Sequence, residues 1–396
     1  MGMLDGIRVI DLSRFVSGPF CSMFLGDMGA DVMKVEQPGT GDNTRKWAPG
    51  ASGPDNPYFM SVNRSKRSIV LNLKHPRGID ALLRLAAQSD VLMHNLRPGK
   101  LEAMGITFER LQAINPRLIL CEVSGYGKSG PDHKRPAFDI TIQAESGLMS
   151  LIGEPDGPPM KVGAPITDVL TAMTACIGIE GALLARERTG KGTHLRTSML
   201  EAALAAMPNV ASEYLIGKVP PLRWGNGHPN IVPYEVFPAA DGFITIGVGS
   251  ERQWKPFCEL IGRPDLASDV RYSTNPARLD NRAALIAELK PLIAAQSRAY
   301  WRDGMDELGL PCAFVNGLDE TLRGPQASAL GVVQKVEHPT CGTIEMVCSP
   351  LEVDGHYLPI NRPPPTLGQH TDEILHDVGG LTQAEIAELR QCGAIG

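Results

Sequence analysis

The chain has 396 residues, a length that predicts two domains rather than one core. Apolar residues make up 43% of the sequence and charged residues 21%, which is ordinary for a soluble globular protein. The net charge of −6 argues against nucleic acid as the main partner, because phosphate backbones bind to basic surfaces.

Cysteine and histidine spacing excludes the common metal and redox motifs. The eight cysteines form no C-x-x-C pair, and the nine histidines form no H-E-x-x-H pattern. We therefore expect reduced thiols and a cytoplasmic location. The first ten residues lack an apolar run of signal-peptide length, and no stretch approaches 18 uninterrupted apolar residues, so no membrane span is predicted.

Strands and helices alternate through the first half of the chain. Residues 8–12 and 32–36 are predicted strands on either side of a helix over 20–28, which makes a βαβ unit. Further strands are predicted at 68–73, 91–94, 118–124 and 193–198, and further helices at 76–88, 108–114, 138–150 and 199–214. This order predicts an α/β fold with a parallel sheet.

Three short loops, at 39–42, 95–99 and 125–127, are rich in glycine or polar residues and follow predicted strands. In open parallel sheets, ligands bind at the carboxyl ends of the strands, so we expect a ligand site at that edge. Each loop alone is more typical of a plain turn. The first turn has no G-x-G-x-x-G, which argues against a nicotinamide or flavin site.

One carboxylate, Asp168, lies where the loop 163–165 enters a long helix rich in small residues. Free N–H groups and the helix dipole stabilise an acidic residue in a first turn. On this pattern alone an ordinary helix charge is the favoured interpretation, and a catalytic carboxylate is the alternative. The basic loop with His133, Lys134 and Arg135 is similarly open between a solvated surface and an anion site.

The composition changes in the second half of the chain. A stretch rich in Pro, Gly and Asn at 220–233 predicts a linker. Two apolar runs, 234–238 and 243–247, flank an Asp-Gly turn and predict a β-hairpin. Helices at 253–261, 282–296 and 300–307 follow, which together with the hairpin indicate a small α+β domain.

Motifs along nearly the whole chain resemble the family III CoA-transferases, the group of formyl-CoA, carnitine and succinyl-CoA:dicarboxylate CoA-transferases. The matching segments lie in family order and are 4–12, 17–19, 25–32, 34–36, 41–42, 63–68, 95–99, 138–139, 143–144, Gly147, Asp168 and 367–371. The resemblance implies a Rossmann-like large domain, a small α+β domain and an interlocked homodimer. The domains are then expected at 1–215, with a linker at 216–233, a small domain at 234–330, and a return at 331–396 that completes the large domain.

The resemblance also implies the chemistry. Asp168 matches the family's nucleophile, which attacks a donor thioester to give an aspartyl anhydride and then an aspartyl-CoA thioester. The nucleophile is expected to stay ionised, with nearby backbone N–H groups stabilising oxyanions. Coenzyme A enters as a substrate, and neither a metal nor a tightly bound cofactor is expected.

Family positions for CoA carry over residue by residue. Val16 and Ser17 match positions near the pantetheine and thioester. The positions that match contacts to the nucleotide part are Gln37, Leu71, Asn72, Leu73, Lys74, Asn95, Leu96, Arg97, Arg135, Phe138 and Asp139.

Three departures from formyl-CoA transferase bear on the substrate. Gln37 replaces an arginine, Arg14 replaces a histidine, and the linker glycine run is reduced to 225–227. These differences disfavour formate and oxalate. Arg14, next to Phe15, could pair a second carboxylate, so we expect succinyl-CoA as donor and a dicarboxylate such as itaconate, mesaconate, malate or glutarate as acceptor. A phosphate or structural contact is the alternative for Arg14.

Two other functions stay open at this point. An α-methylacyl-CoA racemase of the same superfamily has a histidine at the position of Phe138, and phenylalanine cannot move a proton. A non-catalytic CoA-binding protein is the second alternative, and the presence of Asp168 in its loop argues against it.

Overall fold

The computed structural model describes residues 2–47 and 56–396. The strands are β1 Arg8–Asp11, β2 Asp31–Glu36, β3 Lys66–Val70, β4 Val91–His94, β5 Ile119–Ser124, β6 His194–Ser198, β7 Tyr234–Ala239, β8 Gly242–Gly247, β9 Cys312–Phe314, β10 Val333–His338, β11 Gly342–Val347, β12 Glu352–Val353 and β13 His356–Tyr357. The α-helices are α1 Ser17–Asp27, α2 Pro57–Met60, α3 Pro76–Ala87, α4 Phe108–Ile114, α5 Asp139–Glu145, α6 Ile166–Thr189, α7 Met199–Ala205, α8 Pro208–Leu215, α9 Glu251–Leu260, α10 Asn275–Asp280, α11 Arg282–Ala294, α12 Arg298–Glu307, α13 Leu318–Arg323, α14 Pro325–Leu330, α15 Thr371–Asp377 and α16 Gln383–Gln391.

The chain divides into two compact units. The first comprises Met1–Leu148, Lys161–Lys218 and Pro325–Gly396, and the second comprises Met149–Met160 and Val219–Gly324. The second unit thus includes most of the expected linker at 216–233, ends at Gly324 rather than at residue 330, and also takes in a short segment before α6. That segment contains three prolines and two glycines, which is typical of a loop, and nothing in the sequence indicated that this loop belongs to the second unit.

The first unit is built on a six-stranded sheet in the order β3-β2-β1-β4-β5-β6. All five strand pairs are parallel. The strand order reverses between β1 and β4, and such a switch point is where open α/β sheets bind ligands. The predicted parallel α/β architecture is confirmed.

Helices cover both faces of this sheet because its strands are apolar on both sides. On one face α1 packs against α6, and their buried residues share a core with Val9, Met93 and Cys121 of the strands. On the other face α3 and the C-terminal helices α15 and α16 close a second core over Ile10 and Leu92. The last residues contribute to this core, and Ile395 bridges to Leu71.

The second unit has a core of its own. Strands β7, β8 and β9 form an antiparallel sheet, and the β7–β8 hairpin turns at the predicted Asp-Gly. Helices α9, α11 and α12 pack on it and bury Trp254 and Trp301. The hairpin and these helices were predicted from the sequence, whereas α10 and α13 were not.

Two predicted helices are interrupted in the structure. The helix expected over 138–150 ends at Glu145, because Gly147 adopts a φ of +87° that a right-handed helix does not allow. The helix expected over 199–214 divides into α7 and α8 at Pro208, which lacks the N–H that a continuous helix needs there.

Helix α6 is apolar on more than one side. By length and composition alone it could cross a membrane. Its buried residues, such as Ala172, Ala175 and Ile179, belong to the core beneath the sheet. On another face Met173, Ile177 and Leu184 are 42%, 70% and 65% exposed. Helix α6 therefore has apolar residues on a buried face and on an exposed face, and together they give it the mean hydropathy of a membrane-spanning segment.

Candidate active site

A cavity of about 690 Å³ opens in the first unit at the switch point of the sheet. Its walls come from the loop after β1, the loop after β4, the end of β5, the loop before α5 and the start of α6. The predicted site residues that line it are Phe15, Val16, Ser17, Asn95, Leu96, Arg97, Arg135, Phe138, Asp139 and Asp168. Residues from five separate segments therefore meet around one carboxylate.

Asn95 ties the two loops of the switch point together. Its Oδ1 accepts a hydrogen bond from the Arg14 N–H at 2.8 Å, and its Nδ2 donates to the Arg14 carbonyl at 2.6 Å. The amide side chain thus pairs with the backbone as a neighbouring strand would. This contact fixes the turn that carries Phe15, Val16 and Ser17.

Asp168 is the third residue of α6 and is half-buried in the cavity wall. Burial, followed by the negative charge of Asp139, raises the pKa of Asp168 to about 7. The hydroxyl and the backbone N–H of Ser17 act in the opposite direction and lower this pKa. With a pKa of about 7, Asp168 of the ligand-free chain is partly protonated at neutral pH, whereas the sequence predicted a carboxylate that stays ionised.

Ser17 opens helix α1, so its N–H has no partner within that helix. The free N–H groups and the dipole of a helix N-terminus favour negative charge. The Ser17 N–H lowers the pKa of Asp168 and is therefore the candidate for the backbone donor that was expected near this carboxylate.

Asp139 holds the start of α6. Its Oδ1 accepts from the Thr167 N–H at 2.9 Å and from the Thr167 hydroxyl at 2.8 Å. Its Oδ2 accepts from Gln143 Nε2 at 2.7 Å, and Gln143 Oε1 accepts from the Val162 N–H at 2.9 Å. Asp139 was expected among CoA contacts, and the structure gives its carboxylate protein partners next to the nucleophile.

Aromatic rings form one wall of the cavity. The ring of Phe15 lies 5.4 Å from that of Trp47 and 6.0 Å from that of Phe138, and Trp47 lies 5.1 Å from Tyr58. Phe15 has a φ of +67°, a conformation that a non-glycine residue adopts only when its surroundings enforce it. A strained residue beside a carboxylate in a cavity is a common feature of active sites.

A buried set of charges supports the β1–α1 turn from below. Lys34 Nζ lies 3.0 Å from Asp42 Oδ2 and donates to the Ser13 carbonyl at 3.1 Å. Lys66 Nζ lies 3.2 Å from Asp11 Oδ2 and donates to the Pro19 carbonyl at 2.8 Å. These lysines therefore pin the backbone on both sides of residues 14–18.

Asp11 stays ionised within this buried set. Its carboxylate pairs with Lys66 and also accepts from the hydroxyls of Ser13 and Ser22. Burial alone would raise its pKa, but these partners lower it to about 2. Burial lowers the pKa of its partner Lys66 to about 8, so at neutral pH Asp11 is ionised and Lys66 is mostly protonated.

A second cavity of about 550 Å³ meets the first at Leu96, which lines both. It contains the predicted residues Arg14, Gln37, Leu71, Asn72, Leu73 and Lys74. Lys100 lines it too and was not predicted. The positions expected for the nucleotide part thus fall into two groups, because Asn95, Arg97, Arg135, Phe138 and Asp139 lie around Asp168 instead.

The position of Arg14 bears on one prediction. Arg14 lines the second cavity with Lys74 and Lys100, and it is not among the described residues that line the cavity around Asp168. Its backbone is held by the Asn95 side chain. This placement favours the alternative of a phosphate or structural contact for Arg14 over a contact with the distal carboxylate of an acceptor.

The basic loop at 133–135 is partly neutralised. Arg135 lies 2.6 Å from Glu145 and 3.1 Å from Asp132, so its charge is already paired. His133 lines the cavity nearby. Lys134 and Arg135 are exposed to solvent, as in a surface loop, and His133 and Arg135 also line the cavity.

Trp47, Tyr58 and Lys161 line the Asp168 cavity and were not predicted as site residues. No motif in the sequence around Trp47 or Tyr58 pointed to a site. Lys161 lies in the loop that leads into α6, and its proximity to Asp168 along the chain was the available signal. Within 2–47 and 56–396 no group of three or more His, Cys, Asp or Glu side chains is arranged to hold a metal ion.

The sequence and the fold of the chain are similar to those of known proteins. Residues 4–371 match the family described as CoA-transferase family III. The chain is 39% identical over 395 residues to succinyl-CoA:glutarate CoA-transferase of Mus musculus, covering 100% of this chain and 91% of the relative. It is 39% identical over 363 residues to acetyl-CoA:oxalate CoA-transferase of Acetobacter aceti, covering 91% and 92%.

A solved structure extends the likeness to three dimensions. A CAIB/BAIF family protein from Brucella suis superposes with a TM-score of 0.86 at 35% identity, covering 95% of this chain and 99% of that one. Its coverage extends over nearly the whole chain and includes the region of the parallel sheet. The chain belongs to CoA-transferase family III and is a CoA-transferase.

Proposed function

We propose that the protein transfers CoA from succinyl-CoA to a dicarboxylate acceptor, with Asp168 as the nucleophile. The observation that carries the proposal is a half-buried carboxylate in an open cavity at the switch point, with Ser17 at the start of α1 lining the same cavity. The similar enzymes from mouse and Acetobacter are named for glutarate and oxalate, which are both dicarboxylates. They are named for different donors, so the choice of donor is part of the test.

The proposed reaction is an exchange through covalent intermediates. An oxygen of the ionised Asp168 attacks the thioester carbonyl, and the C–S bond breaks to release CoA thiolate and leave a mixed anhydride. The thiolate then attacks the Asp168 carbonyl, which frees the donor acid and gives an aspartyl-CoA thioester. The acceptor carboxylate attacks that thioester, and the returning thiolate takes the acyl group from the second anhydride and restores Asp168.

The Ser17 N–H supports the steps in which charge develops. Each attack makes a tetrahedral oxyanion next to Asp168, and a fixed N–H at a helix N-terminus is a suitable donor for it. The aromatic wall of Phe15, Trp47 and Phe138 limits water around the anhydride. The N–H donor accelerates each attack, and the exclusion of water favours transfer to a carboxylate over hydrolysis.

The two adjoining cavities support a placement for CoA. With the thioester at Asp168, the chain passes Leu96 and the nucleotide part occupies the second cavity. Arg14, Lys74 and Lys100 line that cavity and offer cations to the phosphates. Three positive charges around one cavity are suited to the phosphates of CoA.

A second copy of the chain is proposed to cover α6. Met173, Ile177 and Leu184 recur at spacings of four and seven residues, so they lie on one face of the helix. A large exposed apolar face on a buried helix is typical of an obligate interface. The interlocked homodimer expected from the family would use such a face.

The decisive experiment is the mass of the protein after incubation with succinyl-CoA or acetyl-CoA in the absence of acceptor. We expect an adduct of CoA mass on the peptide that contains Asp168, discharged when glutarate, mesaconate or oxalate is added. The Asp168→Asn variant should form none. A chain that binds CoA without forming the adduct would be a binding protein, and exchange of an α-proton without adduct would indicate a racemase.

A further inference from the structure

Asp139 is connected by hydrogen bonds, directly and through Gln143, to two points of the segment that carries Asp168. Its Oδ1 accepts the N–H and hydroxyl of Thr167, the residue directly before Asp168. Its Oδ2 is held by Gln143, whose other amide atom accepts the Val162 N–H in the loop before α6. Gln143 and Thr167 are fully buried, so these bonds are shielded from water.

The same carboxylate lies beside Asp168 as a second negative charge. Both line one cavity, and Asp139 is the charged group that opposes ionisation of Asp168. Tyr58 faces both carboxylates, and its own pKa is raised by burial and then by their charges. The cations that line this cavity are Arg97, Lys161 and Arg135, and Arg135 is already paired with Glu145 and Asp132.

The free N–H groups in the first turn of a helix need a hydrogen-bond acceptor, and a neutral side chain can also supply one. Asparagine and serine cap helices as well as aspartate does. A charged cap next to a catalytic carboxylate makes that carboxylate harder to ionise and more basic once ionised. Nucleophilic reactivity rises with basicity, so the charge of Asp139 makes the ionised form of Asp168 more reactive. The same charge lowers the fraction of enzyme molecules in which Asp168 is ionised at neutral pH.

We propose that Asp139 is a positioning residue that acts on catalysis through Asp168, by fixing the first turn of α6 and by keeping a second negative charge beside the nucleophile. The proposal rests on the proposed role of Asp168 in CoA transfer. Asp139 itself touches protein groups, and it forms no bond to the substrate in this scheme.

The test is the pH profile of kcat/KM for succinyl-CoA between pH 5 and 9, which reports ionisation in the free enzyme. In the wild type, activity should fall on the acid side with a midpoint near pH 7, because the pKa of Asp168 is about 7. Asp139→Asn keeps an oxygen for Thr167 and removes the charge. Its midpoint should lie about one pH unit lower, so that it retains about fivefold more of its own maximal rate at pH 6.

Two variants separate charge from geometry. Gln143→Met fills the same space and leaves the Val162 N–H without its acceptor, while Asp139 stays charged. It should lower kcat and leave the acid midpoint in place. Asp139→Glu keeps the charge with altered reach, and it should likewise lower kcat without moving the midpoint to the position of Asp139→Asn.

The outcomes distinguish this inference from the proposed function. A wild-type enzyme that turns over with an acid midpoint near pH 4 refutes the inference without any variant. An active Asp139→Asn protein with an unmoved midpoint, or a Gln143→Met protein with the same shift, refutes it too. Absence of turnover and of CoA adduct in the wild type would instead refute the proposed function.

Discussion

The environment of Asp168 favours its neutral form in the folded protein, and this has a consequence for stability. The unfolded chain ionises this group at its ordinary pKa of 3.8, whereas the folded chain does so at about 7. Between these values the folded state binds more protons, so stability falls as the pH rises through that window. Above pH 7 the full difference opposes folding, and a catalytic group therefore reduces stability where the enzyme works.

Asp168→Asn should accordingly stabilise the ligand-free protein at pH 8. The gain in free energy of unfolding should be about 2 kcal/mol, less than the full pKa difference implies because the group is partly solvated. At pH 4 the gain should shrink toward zero. Urea unfolding of both proteins at the two pH values measures it, and an equal gain at both would show that the effect is not electrostatic.

Arg14→Ala tests the location of Arg14 in the second cavity. Because its side chain lies with Lys74 and Lys100 and away from Asp168, we expect the KM for the CoA donor to rise severalfold. The ratio of kcat/KM for glutarate over butyrate should not change. Steady-state kinetics with both acceptors decide the matter. A selective loss of the dicarboxylate would restore the earlier assignment of Arg14 to the acceptor.

At the scale of elements, the buried Lys34 and Lys66 stabilise the turn of residues 14–18 that lines the site. Lys66→Met should lower the free energy of unfolding by about 3–5 kcal/mol, since Asp11 then loses its buried partner. The turn of residues 14–18 should loosen as well. Urea unfolding measures the first effect.

The exposed pair of Arg117 and Glu187 provides the matched control. Arg117→Ala removes an ion pair of similar length that is open to solvent, so it should change stability by less than about 1 kcal/mol. If Lys66→Met cost no more than this control, the buried network would have no special part in holding the turn.

The order of elements in the parallel sheet was predictable, because alternating strands and amphipathic helices allow few arrangements. The carboxyl edge as the location of the site followed from the same rule. The contacts of Asp139 and Arg14 were not predictable. Adjacent residues such as Arg14 and Phe15 line different cavities, and Asp139 bonds to Thr167, which is distant in sequence. The breaks at Gly147 and Pro208 could have been predicted, because both residues disfavour a continuous helix.

For the whole molecule, oligomeric state is the first property to measure. We expect a dimer at micromolar concentration by sedimentation. Ile177→Asp places a charge on the exposed face of α6 and should lower the urea concentration at which the dimer dissociates. Val270→Asp, at an exposed apolar residue of the second unit, is the control and should leave that concentration unchanged. A wild-type monomer would contradict the proposal.

The return of the C-terminus to the main sheet sets the order in which this protein is able to fold. Asn72 donates to the Ala394 carbonyl, Ser68 accepts from the His370 N–H, and Ile374 to Ile395 complete the core over α3. While the ribosome is still translating, the first half of the chain has its strands but not this cover. Until residues 374–395 are synthesised, the apolar residues that they cover are exposed on the nascent chain, so we expect the first half to be prone to aggregation during that interval.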